Sequence, residues 1–338
     1  MVTANSASLL VQHYVDNFRR LPWRSPPGEK PADPYRVWLS EIMLQQTTVA
    51  AVVPRFERFV ARWPTIDALA KASDEEILTE WAGLGYYARA RNLIACAREV
   101  ARRGSFPKTA TGLRELPGIG DYTSAAIAAI AFDEAAIAID TNVARVVGRY
   151  NGIENALDRS RAEIRKLAEA MMPADRPGDF VQALMDLGAT ICRPRNPKCQ
   201  ECPLKIACSA FSSGEPERFF RRPRRASRPH RYGVAYWIER EGNVWLVRRP
   251  PNGLLGGMAA LPGSEWSEAP PPHCERLGAV RHVFTHFSLD LFLERRLQPI
   301  GDGWWHSLER LEAAGLPTLY RRAAELALGS KPETRAAA

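Results

Sequence analysis

The sequence predicts a multidomain protein with an all-α domain over residues 1–211 and an α/β domain over 232–330. Three observations carry this prediction. The 338 residues exceed one average domain, the first part repeats apolar residues at helical spacing between short Pro/Gly loops, and the last part alternates apolar and polar residues with period two. The Arg/Pro-rich stretch 212–231 is interpreted as a linker, and 331–338 as a tail.

Capping residues mark the helix starts of the first domain. Ser73 precedes the helical run that begins at Asp74, and Asp121 precedes the run 123–132, which we expect it to cap. A third helix is expected from Ser160 onward, with apolar residues at positions 164, 167, 168 and 171. The first domain is therefore predicted to be entirely helical.

Two short runs with period-two alternation open the second domain. They cover 233–238 and 244–247 and are separated by a turn at 241–243, which predicts a pair of strands. The stretch 280–297 is interpreted as further strand. Helices are expected over 308–314 and 320–328, so the second domain is predicted to be α/β.

The formal net charge of +8 is concentrated in the linker, where 212–231 holds seven arginines against two glutamates, a net +5. A basic balance favours a polyanionic partner, and the linker is either a solvated segment or a strap that contacts phosphates. No uncharged apolar run approaches the ~20 residues of a membrane span, and no leader pattern opens the sequence. We therefore expect a soluble, cytoplasmic protein with no membrane partner.

Four cysteines with the spacing C-x6-C-x2-C-x5-C predict one metal centre. Disulfides are disfavoured in an intracellular chain. Zinc sites usually pair two short cysteine knuckles, whereas only Cys199 and Cys202 form one here, so the spacing favours an iron–sulfur cluster and leaves zinc as the competitor. Cys96 and Cys274 are isolated and are expected to be ordinary buried residues. The predicted metal ligands are Cys192, Cys199, Cys202 and Cys208.

A glycine-rich turn at 116–120 precedes the helical run 123–132. Gly118 and Gly120 permit a turn tight enough to point main-chain N–H groups outward where a helix begins, which suits a DNA phosphate. An ordinary helix–helix turn is the commoner meaning of such a pattern. Asp140 follows Gly120 by about one helix and a return loop, which is expected to bring it near the bound strand.

Glu41 lies on an apolar stripe when residues 37–52 are drawn as one helix. The stripe consists of Val37, Glu41, Leu44, Thr48 and Val52. From the residues alone, the carboxylate is either an ion-paired core residue or a group held partly desolvated for chemistry.

The glycine hairpin, Asp140 and the cysteine spacing resemble the helix-hairpin-helix DNA glycosylases of the endonuclease III superfamily. More narrowly, the chain is similar to the adenine DNA glycosylase (MutY) family, strongly over 9–211 and more weakly beyond. One departure is Asp140-Thr-Asn-Val143, where the family commonly has Asp-Gly-Asn-Val. The blocks that carry the similarity are 21–24, 34–49, 83–93 and 185–189.

The resemblance implies a helix-hairpin-helix glycosylase domain with a [4Fe–4S] cluster at 192–208, followed by a Nudix-like domain. Glu41 would protonate N7 of a flipped-out adenine and later activate water. Asp140, ionised, would lie on the opposite side of the sugar cation and form a transient adduct, and Asn142 matches an active-site asparagine. Tyr122 stands where the bifunctional relatives carry a lysine, which predicts a monofunctional enzyme.

Further positions match the family's DNA and base contacts. The DNA-binding set comprises Gly118, Gly120, Gln46, Leu84 and Tyr86, together with Arg193, Arg195 and Lys198 of the basic loop between the first two cysteines. The adenine-pocket set comprises Trp23, Arg24 and Gln182. Phe284, Thr285 and His286 resemble the family's loop that reads 8-oxoguanine, and the acidic run of a working Nudix hydrolase is missing from the sequence.

The leading hypothesis is a base-excision repair enzyme that removes adenine mispaired with 8-oxoguanine or guanine. It would act as a monomer on double-stranded DNA in the cytoplasm, associated with the nucleoid. Two alternatives stay open: an endonuclease III-like glycosylase with lyase activity, and a non-catalytic iron–sulfur DNA-binding sensor.

Overall fold

The computed structural model describes residues 4–154, 157–220, 228–250, 253–272 and 276–329. Within it the chain divides into two compact units, Met1–Lys71 with Asn92–Arg224, and Ala72–Arg91 with Arg225–Ala338. Residues 221–227 of the predicted linker, Cys274 and the predicted tail 331–338 lie outside the described residues. A membrane-crossing helix, long and apolar throughout, is not found among the helices of the described ranges.

The first unit is built from α-helices with short 3-10 turns, as predicted for this part of the chain. Its helices are α1 (Ala4–Asp16), α2 (Pro34–Leu44), α3 (Val49–Arg62), α4 (Ile66–Lys71), most of α6 (Tyr87–Arg103), α7 (Ala110–Leu113), α8 (Asp121–Phe132), α9 (Thr141–Tyr150), α10 (Leu157–Ala170), α11 (Pro177–Thr190) and α12 (Ser209–Ser212). The 3-10 turns are Cys199–Glu201, Lys205–Ala207 and Pro216–Arg218.

Local capping explains several helix boundaries and corrects one. Ser73 caps α5 (Asp74–Trp81), as the sequence predicted, and Glu76 completes a capping box with it. The prediction that Asp121 caps α8 is wrong, because Gly120 occupies the N-cap without a side-chain bond and Asp121 is the first helical residue. The helix expected from Ser160 begins three positions earlier, at Leu157.

The stripe drawn through Glu41 spans two helices, so the expectation of one continuous helix is wrong. α2 ends at Leu44, and Gln46 takes a left-handed backbone conformation with φ of 58°. Thr48 then caps α3 by accepting a hydrogen bond from the Ala51 N–H group. Glu41 is therefore held by the buried side of α2 alone.

Helix α8 forms the centre of the first unit and packs against α2, α7 and α11. Its residues from Thr123 to Ala131 are all buried, which matches its run of alanine and isoleucine. α11 crosses α8 very closely at Gly178, where an added Cβ atom would lie 2.5 Å from the carbonyl oxygen of Ala129. The Gly178 N–H group also donates to the Asp133 carboxylate at 3.1 Å. The crossing therefore has no room for a side chain.

The second unit contains one six-stranded mixed sheet. Its strands are β1 (His230–Arg240), β2 (Asn243–Arg248), β3 (Ala259–Ala260), β4 (Gly278–Val283), β5 (Ser288–Arg296) and β6 (Gly303–Ser307). β1 runs parallel to β5 from His230 opposite Ser288 to Ile238 opposite Arg296, and antiparallel to β2. β4 pairs with β5 and β6 pairs with β2, both antiparallel. The stretch interpreted as one run over 280–297 is thus two strands joined by a loop at 284–287.

One helix, α13 (Thr318–Gly329), covers a face of this sheet and follows a 3-10 segment at Leu308–Ala314. The shared apolar core includes Trp237, Leu291, Leu293, Tyr320 and Ala323. Both helical segments lie where the sequence predicted helices.

Residues 72–91 belong to the second unit although they lie far from it in sequence. The Arg91 guanidinium donates to the Gly256 carbonyl oxygen at 2.6 Å, and Glu75 forms an ion pair with Arg248 at 3.1 Å. Through these contacts, α5 and the start of α6 bind to β2 and to the loop that follows it.

The α8–α11 crossing generates a prediction about stability. Gly178→Ala is expected to lower the free energy of unfolding by about 2–3 kcal/mol, because the nearest atom to the added methyl group is a main-chain carbonyl oxygen that cannot move aside easily. Denaturant unfolding followed by circular dichroism measures the change. Gly120→Ala is the matched control, since its added methyl group meets nothing within 4 Å, and it should cost less than ~1 kcal/mol. Equal losses in the two variants would contradict the close approach.

Candidate active site and metal centre

The Glu41 carboxyl group is buried on α2, with 7% of the residue exposed. Burial raises its pKa from 4.5 to about 7, and the nearby Asp140 charge adds to the rise. A hydrogen bond from Tyr122 and the positive charge of Arg24 act in the opposite direction. The net result is a carboxyl group that exchanges its proton near neutral pH.

Tyr122 reaches Glu41 because the glycine hairpin directs the first turn of α8 toward α2. Gly118 has φ of 74°, and a Cβ atom there would lie 2.5 Å from the Asn92 side chain. Ile119 is buried and anchors the turn, whereas Gly118 and Gly120 are exposed. Burial and the neighbouring carboxylates raise the pKa of Tyr122 well above its usual value, so it remains a neutral donor.

Asp140 is the N-cap residue of α9. One carboxylate oxygen accepts the main-chain N–H groups of Asn142 at 2.8 Å and Val143 at 2.7 Å, and the other accepts the Asn142 amide at 2.9 Å. Three N–H donors at the start of α9 thus fix the orientation of this carboxylate. Glu41 and Asp140 thus have the same functional group in opposite environments, one apolar and one rich in donors.

Sequence reasoning missed Arg145, a buried residue of α9 that supports this arrangement. Its guanidinium donates to the Asn142 side-chain oxygen at 2.9 Å and to the carbonyl oxygens of Gly188 and Cys192, each at 2.7 Å. Asn142 is therefore fixed between Asp140 and Arg145. The spacing of Asn142 and Arg145 on one helix was the available signal, but the two carbonyl partners are distant in sequence.

The predicted adenine-pocket residues occupy distinct places in the first unit. Trp23 is buried and packs edge-to-face against Phe56 at 5.1 Å. The Arg24 guanidinium forms two hydrogen bonds with Asp186, at 2.6 and 3.0 Å, and its charge acts on Glu41. Asp186 thus fixes the cation that lies near Glu41.

Gln182 is the third predicted pocket residue, and it is 6% exposed on α11. Its amide nitrogen donates to the Gly178 carbonyl oxygen at 3.3 Å. Its side-chain oxygen is buried and has no hydrogen-bond partner within the described part of the chain. Gln182 lines a cavity together with Gly28, Lys30, Ile130, Asp133 and Arg176. An acceptor is therefore available beside this cavity.

The four predicted metal ligands line one cavity. The cavity is bordered by Arg149, whose guanidinium lies 3.6 Å from the Cys192 sulfur and donates to the carbonyl oxygens of Arg193 and Pro194. Burial raises the pKa of the Cys202 thiol to about 12, so a thiolate there requires compensating positive charge such as a metal supplies. Cysteine sulfurs around an apolar space with a buried guanidinium beside them fit an iron–sulfur cluster.

The basic loop between the first two cysteines is exposed. Arg193 donates to the Asn196 carbonyl oxygen at 2.9 Å, and Lys198 pairs with Glu201 at 3.1 Å. Arg195 is also exposed. All three predicted cations are thus on the surface beside the cysteine cavity.

The predicted wedge residues differ in exposure. Leu84 is buried, whereas Tyr86 is 43% exposed and Gln46 is also exposed. Tyr86 has a left-handed backbone conformation with φ of 48°. Its hydroxyl group is 2.5 Å from the Thr285 hydroxyl group, so the second unit brings a predicted wedge residue and a predicted lesion-reading residue together.

The loop between β4 and β5 carries the three predicted lesion-reading residues. Phe284 stacks on Trp266 at 5.6 Å and contacts Phe287 at 4.8 Å, which anchors the loop. Thr285 and His286 are exposed at its tip. The loop is therefore anchored by aromatic side chains and exposes one hydroxyl group and one imidazole group at its tip.

Comparisons with known proteins agree with this architecture. Residues 39–173 match the HhH-GPD superfamily base excision DNA repair protein family, and residues 233–326 match the NUDIX domain. The adenine DNA glycosylase of Homo sapiens is 34% identical over 98% of this chain and 76% of its own length. The adenine DNA glycosylase of Mus musculus is 35% identical over 85% of this chain and 69% of its own length.

A solved structure supports the fold of the first unit. A thermostable thymine-DNA glycosylase superposes with a TM-score of 0.55 and 32% identity, covering 61% of this chain and 95% of that one. The predicted combination of a helix-hairpin-helix glycosylase domain with a Nudix-like domain is confirmed. The chain belongs to the adenine DNA glycosylase family.

Proposed function

We propose that this protein is a monofunctional DNA glycosylase that removes adenine mispaired with 8-oxoguanine or guanine and leaves an abasic site. The observation that carries the proposal is the buried Glu41 carboxyl group beside Tyr122 and Asp140. A proton donor and a stabilised anion are the two groups that cleavage of an N-glycosidic bond requires.

Glu41 supplies the proton in this mechanism. With a pKa of about 7, a large fraction of the group is protonated at neutral pH. Transfer of that proton to N7 of a flipped-out adenine makes the base a better leaving group, and the bond from the sugar to N9 then breaks. The Tyr122 hydroxyl group donates to the carboxylate that remains and stabilises it.

Asp140 stabilises the sugar cation that forms as adenine leaves. Its three N–H donors orient the carboxylate. An Asp140 oxygen then bonds to C1′, and water activated by the Glu41 carboxylate displaces it. Glu41 recovers its proton from that water, so both carboxyl groups return to their initial states.

Tyr122 supports the monofunctional part of the proposal. A phenol hydroxyl group cannot form an imine with C1′, whereas the lysine that the bifunctional relatives carry at this place can. Strand cleavage through a Schiff base is therefore not expected.

Gln182 is proposed to recognise the base. Its buried side-chain oxygen can accept a hydrogen bond from the exocyclic amine of adenine. Trp23 and Arg24 are proposed to form walls of the adenine pocket, and Asp186 holds Arg24 in place. An unpaired buried acceptor favours a base that carries a donor over one that lacks it.

The four cysteines are proposed to hold a [4Fe–4S] cluster through Cys192, Cys199, Cys202 and Cys208. When bound, the cluster balances the charge of four thiolates and cross-links the segment that contains them. Arg149 fixes the same segment through its carbonyl oxygens. The exposed cations Arg193, Arg195 and Lys198 then face DNA phosphates.

Thr285 and His286 are proposed to read the base opposite adenine. Their side chains are exposed on an anchored loop and offer the donors that an oxidised purine edge accepts. Gln46, Leu84 and Tyr86 are proposed to fill the gap left by the flipped base, while Gly118 and Gly120 bind the phosphate backbone. The protein is proposed to act as a monomer on double-stranded DNA.

The first prediction concerns the product. Duplexes with 8-oxoguanine opposite adenine should break at the adenine only after hot alkali, because excision leaves an intact strand with an abasic site. Denaturing gel electrophoresis with and without alkali measures this. Breakage without alkali, together with borohydride trapping of an enzyme–DNA adduct, would indicate a lyase, and no breakage under either condition would indicate a non-catalytic protein.

The second prediction concerns the pH dependence set by Glu41. The single-turnover excision rate should fall as pH rises through about 7, because the proton donor is lost, and Glu41→Gln should reduce excision to background. The pKa of Glu41 is raised above 4.5 in the folded protein. The stability that comes from burying the neutral carboxyl group is therefore fully present below pH 4.5, and it is lost as the pH rises to about 7. Glu41→Gln should therefore be more stable than the unsubstituted protein by about 3 kcal/mol at pH 9 and similar at pH 4.

Thermal and denaturant unfolding at both pH values measure the stability difference. Glu76→Gln is a matched control, because Glu76 is an exposed capping residue whose substitution leaves the buried site intact. A difference that does not change between pH 4 and pH 9 would show that the Glu41 carboxyl group is not buried in its neutral form.

The third prediction concerns the reading loop. Thr285→Ala combined with His286→Ala should reduce the preference for 8-oxoguanine·A over G·A by about tenfold, since specific base contacts are each worth ~1–3 kcal/mol. Single-turnover rates on the two duplexes measure the ratio. Asp302→Ala, at another exposed turn of the second unit, should leave it unchanged. A preserved preference in the double variant would remove these residues from lesion recognition.

A further inference from the structure

The loop that carries Tyr86 has an unusual backbone. Gly83, Gly85 and Tyr86 all have positive φ angles, of 92°, 71° and 48°. Two glycines adopt such angles freely, but a tyrosine rarely does. Neighbouring residues must therefore hold the loop, here called the wedge loop (83–86), in its observed shape.

Arg89 makes main-chain contacts that hold this shape. One terminal nitrogen of its guanidinium lies 3.1 Å from the Leu84 carbonyl oxygen and 3.4 Å from that of Gly85. The Trp81 indole also donates to the Gly85 carbonyl oxygen, at 3.0 Å. The main-chain N–H group of Arg89 donates to the Tyr86 carbonyl oxygen at 2.8 Å. Three consecutive carbonyl groups are thus bound by two residues.

The Arg89 guanidinium also contacts two aromatic rings. Its central carbon lies 5.3 Å from the Trp81 ring centroid and 5.3 Å from that of Tyr86. Arg89 is 9% exposed, and burial lowers its pKa to about 10, which leaves it charged at neutral pH. A buried cation between a core tryptophan and an exposed tyrosine links the wedge side chain to the interior.

We propose that Arg89 is a positioning residue that pre-forms the wedge loop and fixes Tyr86 in the orientation in which it enters DNA. The proposal rests on the proposed role of Tyr86 as a wedge. A loop that is already formed loses little conformational freedom when it binds, so more of the interaction energy remains available to unstack the target base.

The chemistry of arginine matches this role better than that of lysine. A planar guanidinium can stack on aromatic rings and direct several N–H groups in fixed directions at once. A lysine ammonium group keeps the positive charge, but it is not planar and does not hold several N–H donors in fixed directions. Arg89→Lys should therefore resemble Arg89→Ala more closely than the unsubstituted protein.

The test combines hydrogen exchange with excision kinetics. Arg89→Ala and Arg89→Lys are compared with Arg102→Ala, an exposed arginine at the far end of the same helix. Amide hydrogen exchange across residues 83–89 of the full chain without DNA reports whether the loop is pre-formed. Single-turnover excision is measured on two duplexes, one with adenine opposite 8-oxoguanine and one with adenine opposite a stable abasic-site analogue, where less pairing must be broken.

In Arg89→Ala we expect faster exchange over 83–89 and a loss of excision of about tenfold on the paired duplex, with a clearly smaller loss opposite the abasic analogue. Arg102→Ala should behave as the unsubstituted protein in both assays. Unchanged exchange in Arg89→Ala, or equal losses on the two duplexes, would overturn the proposal. An unsubstituted protein that excises no adenine would instead overturn the proposed function, and the exchange measurement would still decide whether Arg89 holds the loop.

Discussion

The burial of the Glu41 carboxyl group is the constraint on which the rest of the candidate site depends. An ionised carboxylate in an apolar interior is unfavourable, so the group stays neutral to a much higher pH than an exposed glutamate. Asp140, in contrast, accepts hydrogen bonds from the main-chain N–H groups of Asn142 and Val143 at the start of α9. The two carboxyl groups therefore lie near each other in different surroundings, one buried and the other bonded to main-chain donors.

Supporting residues convert this electrostatic difference into a fixed geometry. Arg145 and Arg149 are both buried on α9, and both donate chiefly to main-chain carbonyl groups. Their guanidinium groups thus bind main-chain carbonyl groups around Gly188 and Cys192, while the buried Nε of Arg149 has no hydrogen-bond partner within the described residues. Asn142 connects Arg145 to Asp140, so the helix that orients the anion and the segment that carries the cysteines share one set of hydrogen bonds.

Sequence reasoning predicted those features that local chemistry determines. Short stretches of sequence were enough to predict the cap at Ser73, the helical and strand-like regions and the cysteine spacing. The break between α2 and α3 was missed, because Thr48 fits the apolar stripe by position while its side chain favours a cap. Arg89 and Arg145 were missed for a different reason: their partners are carbonyl groups, which exist at every position of a chain and leave no pattern. Only the fold reveals which carbonyl groups they meet.

The discontinuous second unit has a consequence for synthesis of the protein. The chain passes between the two units three times, near residues 71, 91 and 224. During translation α5 leaves the ribosome long before Arg248 and Gly256, the partners of Glu75 and Arg91. Because contacts that are distant in sequence form late, this segment must wait for the last third of the chain. In a chain whose synthesis stops before residue 248, residues 72–91 would therefore lack their contacts with Arg248 and Gly256.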